Sequence, residues 1–283
     1  MPYTECHVDV VADPPALQAL LAHVEQCWSR LGESEPHWSV ITDPIYRSDR
    51  IVGNRDQFYA SGSADVQEFM SAVSRANVRF PSPGTCLELG CGVGRVSPWL
   101  AQRFHQVIAA DISPNHLRVA QQIIDERACT NVHVRLVNSI VAIEQLPNVD
   151  CFFSLLVLQH NPPPVIYWLL SRAMAKLKLG GLAFFQLPTF LPEYQFDVEA
   201  YISALPAHQQ MEMHCLPYQS VLRLINYSGC ELLEAKPNDC LGIENSASFN
   251  FLVRRSLRST LSGLGARIGA YVERRMRILP LYR

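Results

Sequence analysis

Two acids and three alternating glycines are the residues of this chain best placed to do chemistry. They lie in Thr85-Cys86-Leu87-Glu88-Leu89-Gly90-Cys91-Gly92-Val93-Gly94-Arg95 and at Asp111. The first run reads as a short apolar strand that collapses into a glycine turn and opens a helix. Gly90, Gly92 and Gly94 let the backbone take positive φ and let a ligand approach with no Cβ in the way. The helix that follows turns its free N–H groups toward whatever sits over the glycines. Asp111 ends the next strand, about 20 residues on, where an acid can accept from both hydroxyls of a ribose. Glu88 narrows the ligand further. A carboxylate beside the loop repels phosphates and favours a cation.

The pattern E-x-G-x-G-x-G with a strand-end Asp resembles the class I S-adenosylmethionine-dependent methyltransferases, over about 78–255. The resemblance implies S-adenosylmethionine as cofactor and a transfer of its methyl group. It implies that Gly90, Cys91, Gly92 and Gly94 approach the methionyl part and ribose, with Glu88 as counter-charge to the ammonium group. Asp111 would take the ribose hydroxyls, Ile112 would pack on one face of the adenine, and Leu155 would be among the cofactor contacts. Asn138-Ser139-Ile140 stands where the family often has an Asp for the adenine amine. Asn138 either accepts that bond through its carbonyl or only makes a strand-end turn. Arg95, a cation at the positive end of a helix, either meets the cofactor carboxylate or is solvated.

Past the fourth strand, Ser154 to Pro164 again offers two readings. Asn161-Pro162-Pro163 echoes the N-P-P-aromatic motif of adenine amino-methyltransferases, but it comes late and Pro164 replaces the aromatic. The segment V-L-Q-H resembles the V-L-x-H of small-molecule methyltransferases, with His160 above the cofactor. There His160 is either the general base for a hydroxyl acceptor or a structural residue bonded to backbone. Methyl transfer from a sulfonium needs little more than an acceptor held in line.

Substrate-side candidates are Trp38 and Tyr59 in the leading region, and Tyr194, Phe196 and His214 in an insertion over 188–215. These aromatics suit a small polar or sugar-like acceptor, or else pack the lid itself. No metal motif is present. Residues 254–283 carry eight arginines and one acid. The periodicity there is that of a basic amphipathic helix, suited to an anionic membrane or polyanion, or to packing on the domain or another subunit.

Strands and helices alternate from Thr85 on, the pattern of a doubly wound α/β sheet. Strands are expected at 85–89, 106–110, 132–137, 149–155, 181–186, 231–235 and 248–253. Helices are expected at 14–31, 64–77, 95–103, 114–127, 163–176 and 218–228, with 32–62 irregular. The expected organisation is an N-terminal helical cap (1–77), a Rossmann-like core of seven mostly parallel strands with a lid insertion (78–255, lid 188–215), and a C-terminal helix (256–283). Strand order 3-2-1-4-5-7-6 is what the resemblance implies. The 283 residues suit one large α/β domain with additions, and 48% hydrophobic with 18% charged residues fits a globular enzyme. A net charge of −2 argues against nucleic acid as partner. Nine scattered cysteines without a C-x-x-C pair, no basic n-region before an apolar core and no long apolar run point to a cytoplasmic protein with reduced thiols. The expected activity is methylation of a hydroxyl or amine of a small molecule, a sugar or glycan among them. Nucleic-acid methylation and a cofactor-binding protein without transfer activity are the alternatives.

Overall fold

The computed structural model describes residues 7–80, 84–205, 211–239 and 241–256. The basic helix expected at the C-terminus lies outside them from residue 257 on. Seven strands form one sheet: β1 (Thr85–Leu89), β2 (Gln106–Asp111), β3 (Val132–Leu136), β4 (Val149–Ser154), β5 (Leu177–Phe190), β6 (Cys230–Asn238) and β7 (Ala247–Arg255). Their order is β3-β2-β1-β4-β5-β7-β6, the order the resemblance implied. β1 to β5 run parallel, and β7 is antiparallel to both β5 and β6. The chain therefore winds outward from β1 in one direction and then, from β4, in the other. That reversal opens a crevice at the carboxyl ends of the strands.

The period of two along each strand divides the core. Leu87, Phe152 and Phe185 face one hydrophobic layer, whereas Cys86, Phe153 and Phe184 face the other. Helices α6 (Pro163–Lys176) and α8 (Tyr218–Tyr227) cover the first layer. Helices α2 (Ile51–Arg75), α3 (Ser97–Ala101) and α4 (Pro114–Glu126) cover the second. Phe185 stacks on Phe251 with centroids 5.2 Å apart, and Phe69 of α2 stacks on Phe184 at 5.0 Å. Residues 7–80 thus contribute to the core as well as to a roof. Helix α1 (Pro14–Ser34) starts at Asp13, whose carboxylate accepts from the Ala16 N–H. It buries Leu17, Leu20, Leu21 and Val24 and touches both α4 and α6, so it bridges the two helical layers across the crevice.

Several elements differ from expectation. Helix α2 begins at Ile51 and not near residue 64, passing through Gly53 and Gly62. Glycine costs a helix about 1 kcal/mol, but here the turns carrying it bury Phe58 and Tyr59, whose apolar area outweighs that cost. Strand β5 begins at Leu177 and not at residue 181, so Leu179-Gly180-Gly181 lies inside it, where the register against β4 jumps between Val149 and Cys151. Gly180 supplies the φ of +79° that this irregularity requires. Helix α5 (Ile140–Glu144) is too short for periodicity to reveal. The insertion over 188–215 begins within β5 and contains α7 (Val198–Ala204). It is tied to the N-terminus, since Val8 bridges Phe196 and the Asp9 N–H donates to the Phe196 carbonyl. No helix among the described residues is long and apolar enough to cross a membrane.

Candidate functional site

At the crevice, the ends of β1, β2 and β4 and the underside of α1 enclose a cavity of about 960 Å³, its open mouth included. Its floor is the glycine turn after β1. Gly90 and Gly92 hold φ of +78° and +53°, values that glycine adopts without strain. A Cβ on Gly90 would lie 2.3 Å from a Val157 methyl, and one on Gly92 would lie 2.7 Å from a Val40 methyl. The turn is therefore clamped between the loop after β4 and the N-terminal region. Gly94 has another role. Its missing Cβ leaves α4 only 3.1–3.3 Å from where that atom would be, so it sets helix packing and does not line the cavity.

Three ionisable side chains converge on this floor. Asp111 is buried at the end of β2, where its Oδ2 accepts from the Gly92 N–H at 2.8 Å and its Oδ1 from the Ser113 N–H at 2.9 Å. Each oxygen keeps a further lone pair for a ligand. Glu88 is 3% exposed, and Ser97 Oγ donates to its Oε2 at 2.6 Å. Burial pushes its pKa up to about 7, opposed by the Ser97 bond and the Arg95 charge. Arg95 is buried as well, and its guanidinium donates to Asp65 at 2.5 Å and to Ser61 at 3.1 Å. Of the two readings of Arg95, simple solvation does not hold: the side chain is buried, and the acid that balances it comes from α2.

The structure also sorts the other candidates. Cys91, Ile112 and Leu155 line the cavity together with the glycine turn and the three charges. Asn138, Ser139 and Ile140 do not: Asn138 is exposed, and Ser139 caps α5 by accepting from the Ala142 N–H. Val137 and Ile143, on either side of them, take the place in the wall.

His160 stands outside the cavity wall. Its Nδ1–H donates to the Glu212 carbonyl at 2.8 Å, and its Nε2 accepts from the Gln159 amide at 3.2 Å. Desolvation, the largest influence, holds its pKa down at about 4. With both nitrogens engaged and the ring 5.3 Å from Trp28, the geometry favours the structural reading over the general base. His160→Ala should then destabilise the fold by about 2–4 kcal/mol, since it leaves a cavity and unpaired partners. Turnover per folded molecule should stay within about tenfold of wild type, against the 10²–10⁴-fold loss of a true base. Urea unfolding and single-turnover rates on the same preparation check both halves.

The five substrate candidates are likewise taken up by packing. Arg47 lies over the Trp38 ring at 4.2 Å. Tyr59 is buried, bonded to His37 and the Val93 carbonyl. Tyr194 bonds to His214 Nδ1 at 2.7 Å, and Phe196 lies 5.7 Å edge-on to the same ring. His214 Nε2 in turn faces Glu212, so these lid residues satisfy one another. In their place the upper wall holds Leu21, Val24 and Trp28 of α1, with Ser39 and Val40 beyond it. His116 of α4 completes it, its Nε2 2.8 Å from Ser39 Oγ. The helical spacing of 21, 24 and 28 puts them on one side of a helix, but nothing in the spacing showed that this side closes over a cavity.

The donor set fits S-adenosylmethionine. A cation with a ribose and a carboxylate would meet a buried carboxyl, a strand-end Asp and a guanidinium whose Nε is buried without a partner among the described residues. Residues 86–181 match the family model of a methyltransferase domain. No protein of curated function matches the sequence. In structure, the chain is similar to the magnesium protoporphyrin IX methyltransferase of Synechocystis PCC 6803 with bound S-adenosylhomocysteine. The two are 18% identical with a TM-score of 0.51, over 71% of this chain and 86% of that one. It is also similar to an S-adenosylmethionine-dependent methyltransferase of Clostridium acetobutylicum, at 14% identity and a TM-score of 0.49, over 70% of this chain and 92% of that one.

Proposed function

From the premise that this chain is a class I S-adenosylmethionine-dependent methyltransferase, we propose that it methylates a hydroxyl or amine of a small, largely apolar acceptor. The cofactor supplies an electrophilic methyl group on a sulfonium. Asp111 would hold its ribose, Glu88 its ammonium group and Arg95 its carboxylate, while Gly90 and Gly92 let it lie against the backbone. Leu155, Ile112, Val137 and Ile143 offer apolar surface to the adenine.

The observation that carries the acceptor class is the composition of the remaining wall. Once Glu88, Arg95 and Asp111 serve the cofactor, its polar groups are the side chains of Ser39, His116 and Asn161 and the indole N–H of Trp28, against a majority of apolar residues. Ser39 bonds to His116 Nε2, which leaves the buried Nδ1 as the one His116 atom without a partner among the described residues, and the Asn161 amide donates to the Val157 carbonyl. A sugar buried there would leave hydroxyls unpaired, at about 1–3 kcal/mol each. An apolar ring against Leu21, Val24 and Trp28 loses nothing of that kind. Burial also lowers the pKa of His116, which keeps its ring neutral. Catalysis then rests on holding the acceptor atom about 3 Å from the methyl group, with water excluded by α1.

The test follows S-adenosylhomocysteine formation by the pure protein against matched panels of phenols, aromatic amines and sugars. Turnover is expected with the flat apolar acceptors. Turnover confined to sugars would overturn the acceptor class and restore the glycan reading.

A further inference from the structure

Helix α2 presents Ser61, Gly62 and Asp65 on one face, at i, i+1 and i+4. All three meet Arg95. A Cβ on Gly62 would lie 2.3 Å from the Arg95 carbonyl oxygen, so helix and loop touch backbone to backbone. That contact places the Ser61 hydroxyl 3.1 Å from Arg95 Nη1 and Asp65 Oδ2 2.5 Å from Nη2. A guanidinium is planar and carries five N–H donors in fixed directions. Two of its three nitrogens are thus held by α2, and the third, Nε, is buried with no partner among the described residues. The Arg95 side chain is only 6% exposed, so water is no substitute. A buried donor of this kind calls for an acceptor.

Resting on the cofactor assignment above, we propose that Asp65 is a positioning residue. It turns the Arg95 guanidinium so that the Nε–H, on the one nitrogen without a partner among the described residues, meets the methionyl carboxylate of the cofactor. Asp65 also balances the Arg95 charge while no carboxylate is present. Without it, the Arg95 charge still acts on Glu88. The guanidinium would then be drawn toward the site of the cofactor ammonium. Through this seat the N-terminal region selects ligands that carry the amino-acid end of the cofactor over bare nucleosides.

Two ligands separate this role from mere support of the fold. S-adenosylhomocysteine has the methionyl carboxylate, and 5′-methylthioadenosine lacks it but keeps the ribose and adenine. Calorimetric titration of Asp65→Asn should show S-adenosylhomocysteine binding weakened about tenfold, the scale of one misaligned charge-assisted hydrogen bond. Binding of 5′-methylthioadenosine should stay within about twofold, since none of its groups faces Arg95. Arg95→Lys should reproduce the selective loss, because an ammonium lacks the planar fork. Asp65→Glu should recover part of it. Equal weakening of both ligands would make Asp65 a support of the fold and overturn the proposal, as would unchanged S-adenosylhomocysteine affinity. If neither ligand binds the wild-type protein, the cofactor assignment itself falls.

Discussion

Asp111→Ala should weaken S-adenosylhomocysteine binding by about 10²- to 10⁴-fold while leaving the protein folded. The ribose would lose two hydrogen bonds to a carboxylate, each about 1.5–3 kcal/mol. The same carboxylate also organises the floor, because its oxygens accept from the N–H groups of Gly92 and Ser113. Its removal therefore loosens the glycine turn as well, which adds to the loss of affinity. Asp111→Asn should fall between the two, since an amide keeps one acceptor and turns two N–H donors toward backbone donors or ribose. Isothermal titration gives the affinities, and a thermal melt shows whether the fold persists. An unchanged dissociation constant for Asp111→Ala would remove the ribose assignment.

Glu88→Gln should act in opposite directions on stability and binding. In the folded protein the Glu88 carboxyl holds its proton up to about pH 7, whereas its ordinary value is 4.5. Because the folded pKa is raised, the stability associated with this group is present below pH 4.5 and lost as pH rises through 7. The loss is about 3 kcal/mol in order of magnitude, at 1.36 kcal/mol for each pH unit. A glutamine does not titrate, so the variant should unfold at higher urea than wild type at pH 8 and at similar urea at pH 5. The ionised carboxylate is, in turn, what a cationic ligand requires. Wild-type affinity for S-adenosylhomocysteine should rise between pH 6 and 8 as Glu88 ionises. The variant should bind about tenfold more weakly at pH 8 and show no such rise, as expected for losing one buried charge partner. A Glu88→Gln protein that is less stable than wild type at pH 8 would overturn this account of the carboxyl.

Several features could be read from local signals because local chemistry produces them. The turn over 90–94 needs positive φ at Gly90, Gly92 and Gly94, and only glycine reaches it without strain. β4 and the core of β5 are apolar because both their faces are covered. Elements governed by contacts distant in sequence were hidden. Residues 51–62 look irregular, but they form helix because Phe58 and Tyr59 are buried against the core. Asn138-Ser139-Ile140 stands at the right strand end, yet Ser139 caps α5 and Asn138 is left exposed. Nothing local distinguishes a cap from a ligand-binding amide, since both use the same short polar side chain.

The same division separates the cofactor floor from its roof. Glu88, the glycine turn and Asp111 lie within 24 residues on two adjacent strands, so their spacing alone brings them together once β1 pairs with β2. That short stretch carries the family resemblance, and the resemblance implied the strand order and the cofactor. The roof draws on Trp28 and Ser39 and the seat of Arg95 on Asp65, which come from separate parts of the chain and meet the floor only when α1 and α2 dock. His160 shows the difference most directly. Its place after β4 suggested a base or a structural residue, and the chain 52 residues on, at Glu212, supplied the carbonyl that accepts the hydrogen bond from its Nδ1–H. Spacing along a strand is set by covalent geometry, whereas the partner of a loop side chain is set by whatever the rest of the chain packs against it.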